Sequence, residues 1–176
     1  MAGYPEARLY SGGLTLGIEV SGTRIIRSAG PGDAPTLAQL RYQFRTELEP
    51  PTESATAFLE RCSAWMVQRL ASGSHWRCWI AKEGDAILAT AWLQIIEKLP
   101  NPGGELERHG YISSVFVRPE CRGKGVGSDL LKECLQMCDA EEVDAVFLWP
   151  TARSRALYRR LGFEVDDDVL LRRRTL

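Results

Sequence analysis

Long apolar runs are missing from this 176-residue sequence. No stretch reaches the ~20 consecutive apolar residues that a membrane-spanning helix needs. The first residues, MAGYPEARLYSGGLTLGIEV, also lack the basic region and apolar core that open a secretory signal. We therefore expect a protein that is neither secreted nor inserted in a membrane, and that resides in the cytoplasm.

Cysteine is scarce and poorly spaced for cross-linking or for zinc. The chain has five cysteines, an odd number, and no two of them form a Cys-x-x-Cys pair. This spacing fits neither a disulfide framework nor a zinc site, so we predict no metal and a reducing environment. Cys134 and Cys138 lie four residues apart on a predicted helix, where two ligands alone make a poor metal site. We interpret them as small buried apolar residues.

An excess of either charge is also absent, since the chain has 22 basic and 23 acidic residues. A protein that binds nucleic acid by neutralising phosphates would be strongly basic, so we expect no nucleic-acid partner. The length suits one domain, and 44% of the residues are apolar, as in ordinary globular cores. We assign one domain to residues 23–176 and interpret residues 1–22 as an N-terminal extension or an extra edge strand.

Apolar periodicity predicts a mixed α/β sheet with helices on both faces. The chain order is a strand, two helices, three strands, a helix, a strand, a helix and a final strand pair. The predicted strands are 23–29, a hairpin within 75–99 that turns at Glu83 to Asp85, 111–117, 145–149 and a final pair around Asp166 to Asp168. The predicted helices are 37–48, 55–70, 126–139 and 152–161.

Local signals predict the ends of several elements. Asp33 is placed to cap the first helix, and Thr52 or Ser54 the second. The segment 100–110 has turn residues and no periodicity, so we predict a loop there. The continuous apolar run at 145–149 predicts a central strand covered on both faces.

The segment RPECRGKGVGSDLL, residues 118–131, is the strongest local signal of a ligand site. Its three glycines allow backbone N–H groups to approach a ligand, and the first turn of the helix that follows carries about half a positive charge. Arg122 and Lys124 add full charges, so a pyrophosphate fits this loop better than a single carboxylate does. The alternative is a tight turn that binds nothing.

The glycine spacing weighs against the two common nucleotide motifs. A Walker loop needs Gly-Lys-Ser or Gly-Lys-Thr, but Lys124 is followed by Gly125. The dinucleotide pattern would begin at Gly123 and Gly125, but Ser128 stands where it requires glycine or alanine. A nucleotide-binding enzyme is therefore the weaker hypothesis.

The residues match a different signature, Arg122-x-x-Gly125-x-Gly127, which follows an apolar strand ending in VRPE and precedes ALYRRLGF by about 30 residues. In these features the sequence resembles the GNAT superfamily of acyl-CoA-dependent N-acyltransferases. The resemblance is strongest over residues 110–163, and the order of elements extends it back to residue 23. It implies a mostly antiparallel sheet in which one parallel pair, here the strands at 111–117 and 145–149, splays apart around the thioester of acetyl-CoA.

The resemblance also implies how acetyl-CoA would be held. Backbone N–H groups of the glycine loop would bind the pyrophosphate, and Ser128 could add a hydroxyl group. The pantetheine arm would lie along the strand at 111–117, whose N–H groups would bind the thioester carbonyl. The implied cofactor-binding residues are Val115, Phe116, Val117, Arg122, Gly123, Lys124, Gly125, Val126, Gly127 and Ser128.

Acetyl transfer to an amine requires a base, a stabilised oxyanion and an acid for the departing thiolate. Tyr158 occupies the tyrosine position of the family, so the resemblance implies that its phenol protonates the CoA sulfur; the alternative is a packed tyrosine bonded to a backbone carbonyl. Many family members carry a glutamate where the cofactor strand begins, whereas this chain has no carboxylate there. Tyr111 and Ser113 share one face of that strand and could order a water molecule as the proton acceptor.

Further residues are candidates for the base and for the acceptor site. Close in sequence to the cofactor strand, the groups that could take a proton are Glu97, Glu105, Glu107 and His109. In this family the first two helices supply the acceptor wall, and acidic residues there would suit a cationic amine. The wall candidates are Tyr42, Phe44, Glu47, Glu49 and Trp65.

We therefore expect an N-acetyltransferase that moves the acetyl group of acetyl-CoA to a primary amine of a small molecule or peptide, by direct attack in a ternary complex. Direct attack needs no acyl-enzyme, so Cys121 beside the loop is interpreted as incidental. The expected partners are acetyl-CoA and an amine, and the expected assembly is a monomer or homodimer. The missing strand glutamate leaves a second hypothesis open, a non-catalytic sensor that binds acyl-CoA.

Overall fold

The computed structural model of the chain describes residues 23–71, 73–100, 102 and 107–166. Within these ranges the strands are β1 (Ile25–Ser28), β2 (Trp76–Glu83), β3 (Ala86–Glu97), β4 (Arg108–Val117) and β5 (Ala145–Leu148). The helices are α1 (Ala34–Thr46), α2 (Ala55–Arg69), α3 (Val126–Ala140) and α4 (Arg155–Arg160), with 3₁₀ turns at Pro31–Asp33, Pro119–Cys121 and Ala152–Ser154. The predicted extension at 1–22 and most of the predicted final strand pair lie outside the described residues.

The strands form one mixed sheet with the order β1-β2-β3-β4-β5. Neighbours from β1 to β4 are antiparallel, and β4 pairs with β5 in parallel. The β2–β3 hairpin turns at Gly84 and Asp85, where Gly84 has a φ of +55° that residues with a side chain rarely adopt. The predicted fold class and the predicted hairpin are both confirmed.

Helices cover both faces of this sheet, as the apolar periodicity predicts. On one face, α3 packs Leu130 and Leu131 against alternate residues of β2 and β3. On the other face, α1 and α2 pack Leu37, Leu40 and Met66 against the intervening residues of the same strands. Burying one such leucine contributes about 1.5–3 kcal/mol, so the two clusters hold the sheet between the helices.

The helix caps differ in how well the sequence predicts them. Ser54 caps α2, since its Oγ accepts a hydrogen bond of 3.2 Å from the N–H of Ala57. The prediction for Asp33 was wrong, because its carboxylate makes no cap bond to α1. That carboxylate instead accepts two hydrogen bonds of 2.8 Å from Arg27 and one from the N–H of Gly30, so it closes the 3₁₀ turn before α1 onto β1.

Two predictions at the β4–β5 end of the sheet need correction. Strand β4 begins at Arg108, so the predicted loop at 100–110 extends too far. His109 and Gly110, which the sequence analysis assigns to that loop, pair with both β3 and β5. Within the described residues β5 pairs with β4 alone, and its side chains are exposed or half-buried instead of covered on both faces. Its apolar residues lie at the margin of the core, where Phe147 stacks on Tyr111 with 5.3 Å between ring centroids.

Candidate active site

The parallel strands β4 and β5 separate partway along their length. Their register ends with Ile112 opposite Leu148. Beyond this point β4 continues to Val117, whereas β5 stops and the chain turns away through Pro150. The separation of the two strands leaves a cleft of about 1050 Å³. The splayed strand pair implied by the sequence resemblance is therefore present.

A β-bulge lies where the two strands separate. The register of β4 against β3 shifts between Thr90 and Trp92, and Ser114 has a φ of +50°. Non-glycine residues seldom adopt a positive φ, and such strain concentrates at functional sites. A bulge also re-aims the residues beside it. Ser113 to Val117 all line the cleft, which brings the three predicted thioester-binding residues into it.

The glycine loop borders the same cleft. Gly123 and Gly125 have φ angles of +75° and +78°, which explains why these two positions carry glycine. A Cβ on Gly127 would lie 3.3 Å from Cγ2 of Val117 and 3.7 Å from Cδ2 of Leu157, so glycine allows α3 to approach β4 closely.

The first turn of α3 and the loop before it have backbone N–H groups without a hydrogen-bond partner among the described turn and loop contacts. The first N–H groups of a helix have no partner within the helix. Among the described residues, none of the turn and loop hydrogen bonds uses the N–H groups of Gly123 to Gly127. Lys124 is exposed and Ser128 is half-buried, whereas the Val126 side chain is buried in the core and leaves only its N–H for a ligand. This arrangement suits a phosphate group.

The side chain of Arg122, whose charge the sequence analysis assigns to a pyrophosphate, is hydrogen-bonded within the protein. Its Nε donates to the carbonyl of Val117 at 3.0 Å, and its Nη2 donates to the two carboxylate oxygens of Glu47 at 2.9 Å and 2.8 Å. The guanidinium also lies over the ring of Phe116, 5.6 Å from its centroid. Arg122 therefore ties the loop to β4 and to the end of α1. Its positive charge balances the negative charge of Glu47.

Tyr158 lines the cleft from α4. Its side chain is 8% exposed and packs edge-on against Phe163, with 5.6 Å between ring centroids. Burial raises the pKa of the phenol to about 12, so the hydroxyl stays protonated at neutral pH. No backbone carbonyl within the described ranges accepts a hydrogen bond from it, as the packing alternative would require. A protonated phenol facing the cleft meets the requirement for an acid.

The two cleft-facing base candidates lie on β4. Tyr111 and Ser113 both line the cleft, and so does Ile112 between them. The ring of Tyr111 is held by stacking on Phe147 and by an edge contact with Trp149, at 4.9 Å between centroids. These aromatic contacts fix the direction of the Tyr111 side chain.

Of the remaining base candidates, none that lies in the described residues lines the cleft. Glu97 lines a separate open cavity at the far end of β3, and His109 packs against Phe147 with 6.4 Å between rings. Glu107 forms an ion pair with Lys98. Glu105 lies outside the described residues.

A second cavity of about 310 Å³ adjoins the cleft, between α1, α2 and the sheet. Arg41, Ser113 and Ser114 line both spaces, so the two adjoin at these residues. Three tryptophans contribute to its wall: Trp65 from α2, Trp76 from β2 and Trp92 from β3. The cavity is therefore an aromatic-lined pocket whose wall also includes Arg41 and Arg61.

The acceptor-wall candidates divide between these spaces. Trp65 lines the second cavity, Phe44 and Glu47 line the cleft, and Tyr42 and Glu49 line neither. The sequence analysis missed the functional position of Arg41, although that residue borders the apolar stripe of α1. It also missed Trp76 and Trp92, which the alternation of β2 and β3 would assign to the core. Only the packing of α2 on the sheet brings them next to Trp65.

Other classes of site find little support in the described part of the chain. No cluster of three or more His, Cys, Asp or Glu side chains there could hold a metal ion. Cys134 and Cys138 are 0% and 1% exposed, which confirms their interpretation as buried apolar residues. None of the helices in these ranges is long and apolar enough to cross a membrane.

Comparison with known proteins identifies a family. The model of the Acetyltransferase (GNAT) family matches residues 38–163, well over half of the 176-residue chain. A search of curated proteins finds no match to this sequence.

Solved structures share the fold at low sequence identity. A predicted acetyltransferase with acetyl-CoA from Clostridium acetobutylicum is 23% identical, with 86% of this chain and 96% of that chain covered and a TM-score of 0.72. A GCN5-related N-acetyltransferase from Ralstonia eutropha JMP134 is 24% identical, with 85% and 98% covered and a TM-score of 0.70. Glucosamine-6-phosphate N-acetyltransferase from Arabidopsis thaliana is 18% identical, with 86% and 98% covered and a TM-score of 0.65.

Proposed function

Because the chain belongs to the GNAT acetyltransferase family, we propose that it transfers the acetyl group of acetyl-CoA to a primary amine of a small molecule or peptide. The proposed route is direct attack of the amine on the thioester in a ternary complex. One observation supports this most: a single cleft borders the glycine loop, the open edge of β4 and the phenol of Tyr158.

The residues of the cleft fit acetyl-CoA. The N–H groups that begin α3 suit a pyrophosphate, and the exposed Lys124 adds a cation beside them. A Cβ at Gly127 would push α3 away from β4 at the point where the loop meets the cleft. The edge of β4 from Val115 to Val117 offers backbone groups to an extended arm, much as a sheet edge binds a peptide.

We assign roles to the residues of the chain on this basis. Bound acetyl-CoA supplies an acetyl group activated as a thioester. Backbone N–H groups near Val115 to Val117 hold the carbonyl oxygen as it gains charge; one such donor is worth about 10²–10³ in kcat. Tyr158, which remains protonated because of its burial, gives its proton to the departing sulfur.

The proton of the amine needs a different acceptor. Glu47 is the one carboxylate among the described residues that line the cleft, and Arg122 already pairs with it. We propose that Tyr111 and Ser113 order a water molecule that takes this proton. A water chain fits a strand that carries hydroxyl groups where a carboxylate would otherwise act directly.

A thiol-release assay tests the proposed function. Acetyl-CoA is offered with amino acids, polyamines, aminoglycosides, lysine peptides and peptide amino termini, and mass spectrometry follows the acetylated product. We expect CoA release that depends on at least one of these amines. Calorimetric binding of acetyl-CoA without transfer to any amine would instead favour the sensor hypothesis. Tighter binding of NAD or ATP than of CoA would favour a nucleotide-binding enzyme.

A further inference from the structure

A half-buried arginine stands where the cleft meets the second cavity. Nη1 of Arg41 donates a hydrogen bond of 3.2 Å to Oγ of Ser114, and Arg41 lines both spaces. Within the described residues it has no carboxylate partner. Burial, and next the charge of Arg45, lowers the pKa of Arg41. The guanidinium is thus poorly solvated and lacks a counter-charge.

The charge of the second cavity is positive. Arg61 lines it together with Arg41, and none of the described residues around it is Asp or Glu. Arg61 is paired with Glu53 on the outer side. The acidic wall that the sequence analysis expects for a cationic acceptor is therefore missing here. A carboxylate would supply the charge that the planar fork of Arg41 lacks.

The tryptophans make the rest of this cavity apolar. The ring centroids of Trp65 and Trp76 are 5.2 Å apart, and those of Trp65 and Trp92 are 5.9 Å apart. Trp92 is 3% exposed and Trp65 is 37% exposed, so the cavity runs from the core to the surface. Its volume of about 310 Å³ is near the lower end of small-molecule pockets, at about 300–1,000 Å³, and suits one ring or one large apolar side chain.

An aromatic cage can also bind a quaternary ammonium ion through cation–π contacts. Here arginines already lie over neighbouring rings, Arg61 over Phe58 at 5.5 Å and Arg69 over Trp65 at 5.4 Å. A further cation would be repelled by these guanidinium groups. The charges favour a ligand that joins a carboxylate to an apolar group.

We propose that the acceptor is a free α-amino acid with an aromatic or large apolar side chain. Its carboxylate binds Arg41, and its side chain enters the tryptophan-lined cavity. Its amine, one carbon away from the carboxylate, faces the cleft beside Ser113 and Ser114. This inference rests on the proposed acetyl transfer to an amine, and it narrows the class of acceptor.

The chemical step balances without another reactant. The amine nitrogen forms a bond to the acetyl carbon, and the carbon–sulfur bond of the thioester breaks. The sulfur takes the proton of Tyr158, and the nitrogen loses a proton to the water held at Tyr111 and Ser113. The water passes its proton to solvent, and solvent returns one to Tyr158, so the phenol is restored and no proton is gained or lost overall. The products are an N-acetyl amino acid and free CoA.

The wild-type chain provides the first test. Phenylalanine, phenylalaninamide and phenethylamine share a ring and an amine, but only phenylalanine has a carboxylate. We expect kcat/KM for phenylalanine to exceed that of the other two by about 10- to 100-fold, the effect of one charge-assisted hydrogen-bonded contact. The kcat/KM for phenylalanine should also exceed that for alanine, because the alanine side chain cannot fill the cavity. Equal or better use of the amide or the amine would overturn the proposal.

Variants of Arg41 provide the second test. We expect Arg41→Gln to lower kcat/KM for phenylalanine by about 10- to 100-fold, to leave phenylalaninamide nearly unchanged, and to leave acetyl-CoA affinity unchanged. Arg41→Lys should recover part of the loss, because it restores the charge without the fork. Arg160→Gln removes an exposed arginine of α4 outside both cavities and serves as the matched control. An equal loss for acid and amide in Arg41→Gln would contradict the assignment.

Binding measured by calorimetry in the presence of CoA separates this inference from the proposed function. Arg41-dependent binding of phenylalanine without any transfer would support the acceptor site and contradict acetyl transfer. Transfer to amines with no preference for a carboxylate would support acetyl transfer and overturn the acceptor class. Phenylalanine that is neither bound nor acetylated would also overturn it, and circular dichroism of each variant excludes misfolding as the cause.

Discussion

Arg122 and Glu47 form an ion pair across 75 residues of sequence, in which Nη2 of Arg122 donates to both carboxylate oxygens at 2.9 Å and 2.8 Å. Glu47 follows the last residue of α1, and Arg122 opens the glycine loop that leads into α3. Since both residues also line the cleft, the pair joins the wall on the α1 side to the glycine loop. The positive charge of Arg122 is thus balanced by the carboxylate of Glu47.

A double-mutant cycle measures this pair. We expect Glu47→Gln and Arg122→Met to show a coupling energy of about 0.5–1 kcal/mol in urea unfolding, because both side chains are only about 30% exposed and two hydrogen bonds join them. The Arg45–Glu49 pair is a matched control, since its side chains are 44% and 75% exposed. Its coupling should be about 0.3 kcal/mol or less. Equal coupling in the two pairs would contradict the structural role of Arg122.

Substitution of Gly125 tests the backbone of the loop. We expect Gly125→Ala to lower the free energy of unfolding by about 1–2 kcal/mol, because its φ of +78° is costly for any residue with a Cβ. Acetyl-CoA affinity should fall as well, since the loop would relax. Gly32→Ala is the control, because that site has no positive φ and no atom within 4 Å of the new Cβ. It should change stability by about 1 kcal/mol at most. Similar losses in both variants would speak against a strained loop.

Removal of the Tyr158 hydroxyl tests its role as the acid. We expect Tyr158→Phe to lower kcat by roughly 10²-fold, at the lower end of general acid catalysis, while calorimetric affinity for acetyl-CoA stays the same. The phenyl ring keeps the contact with Phe163, so folding should be preserved. Turnover as fast as in the wild type would remove Tyr158 from the chemistry.

The raised pKa of Tyr158 also has a consequence for stability at high pH. Folding raises this pKa from an ordinary value of 10.0 to about 12, so the folded state keeps a proton that the unfolded state loses. The contribution is complete below pH 10 and is lost as the pH rises to about 12, by roughly 2–3 kcal/mol. The free energy of unfolding of the wild type, measured with denaturant, should therefore fall more steeply over this pH interval than that of Tyr158→Phe. Parallel curves for the two proteins would refute the buried phenol.

Cys121 tests whether the reaction is direct. The residue is half-buried and ends the 3₁₀ turn before the glycine loop. We expect Cys121→Ser to keep kcat within about twofold, because direct attack needs no acyl-enzyme. Mass spectrometry of the acid-quenched wild type should likewise show no acetylated protein. Loss of turnover together with an acetyl adduct on this cysteine in the wild type would indicate a two-step mechanism.

Several features of the fold and site could be predicted because they depend on near neighbours. The spacing of Val126, Leu130 and Cys134 defines one face of α3, and the structure buries that face. Gly84 marks the hairpin turn in the same way. The cap predicted at Asp33 was wrong because its carboxylate pairs with Arg27 of β1, and the burial predicted for the strand at 145–149 was wrong because a local apolar pattern does not show what covers a strand.

The amino-acid sequence by itself therefore determined the helices, the hairpin, the glycine loop and, through them, the resemblance to the family. Tertiary structure alone decided that Arg122 pairs with Glu47, that Ser114 forms a bulge beside the cleft, and that Arg41 lines both the cleft and a tryptophan-lined cavity. The physical reason is the distance along the chain. Helical periodicity and turn chemistry act over a few residues, whereas these contacts join segments tens of residues apart, whose meeting depends on strand register and on which helix face packs against the sheet.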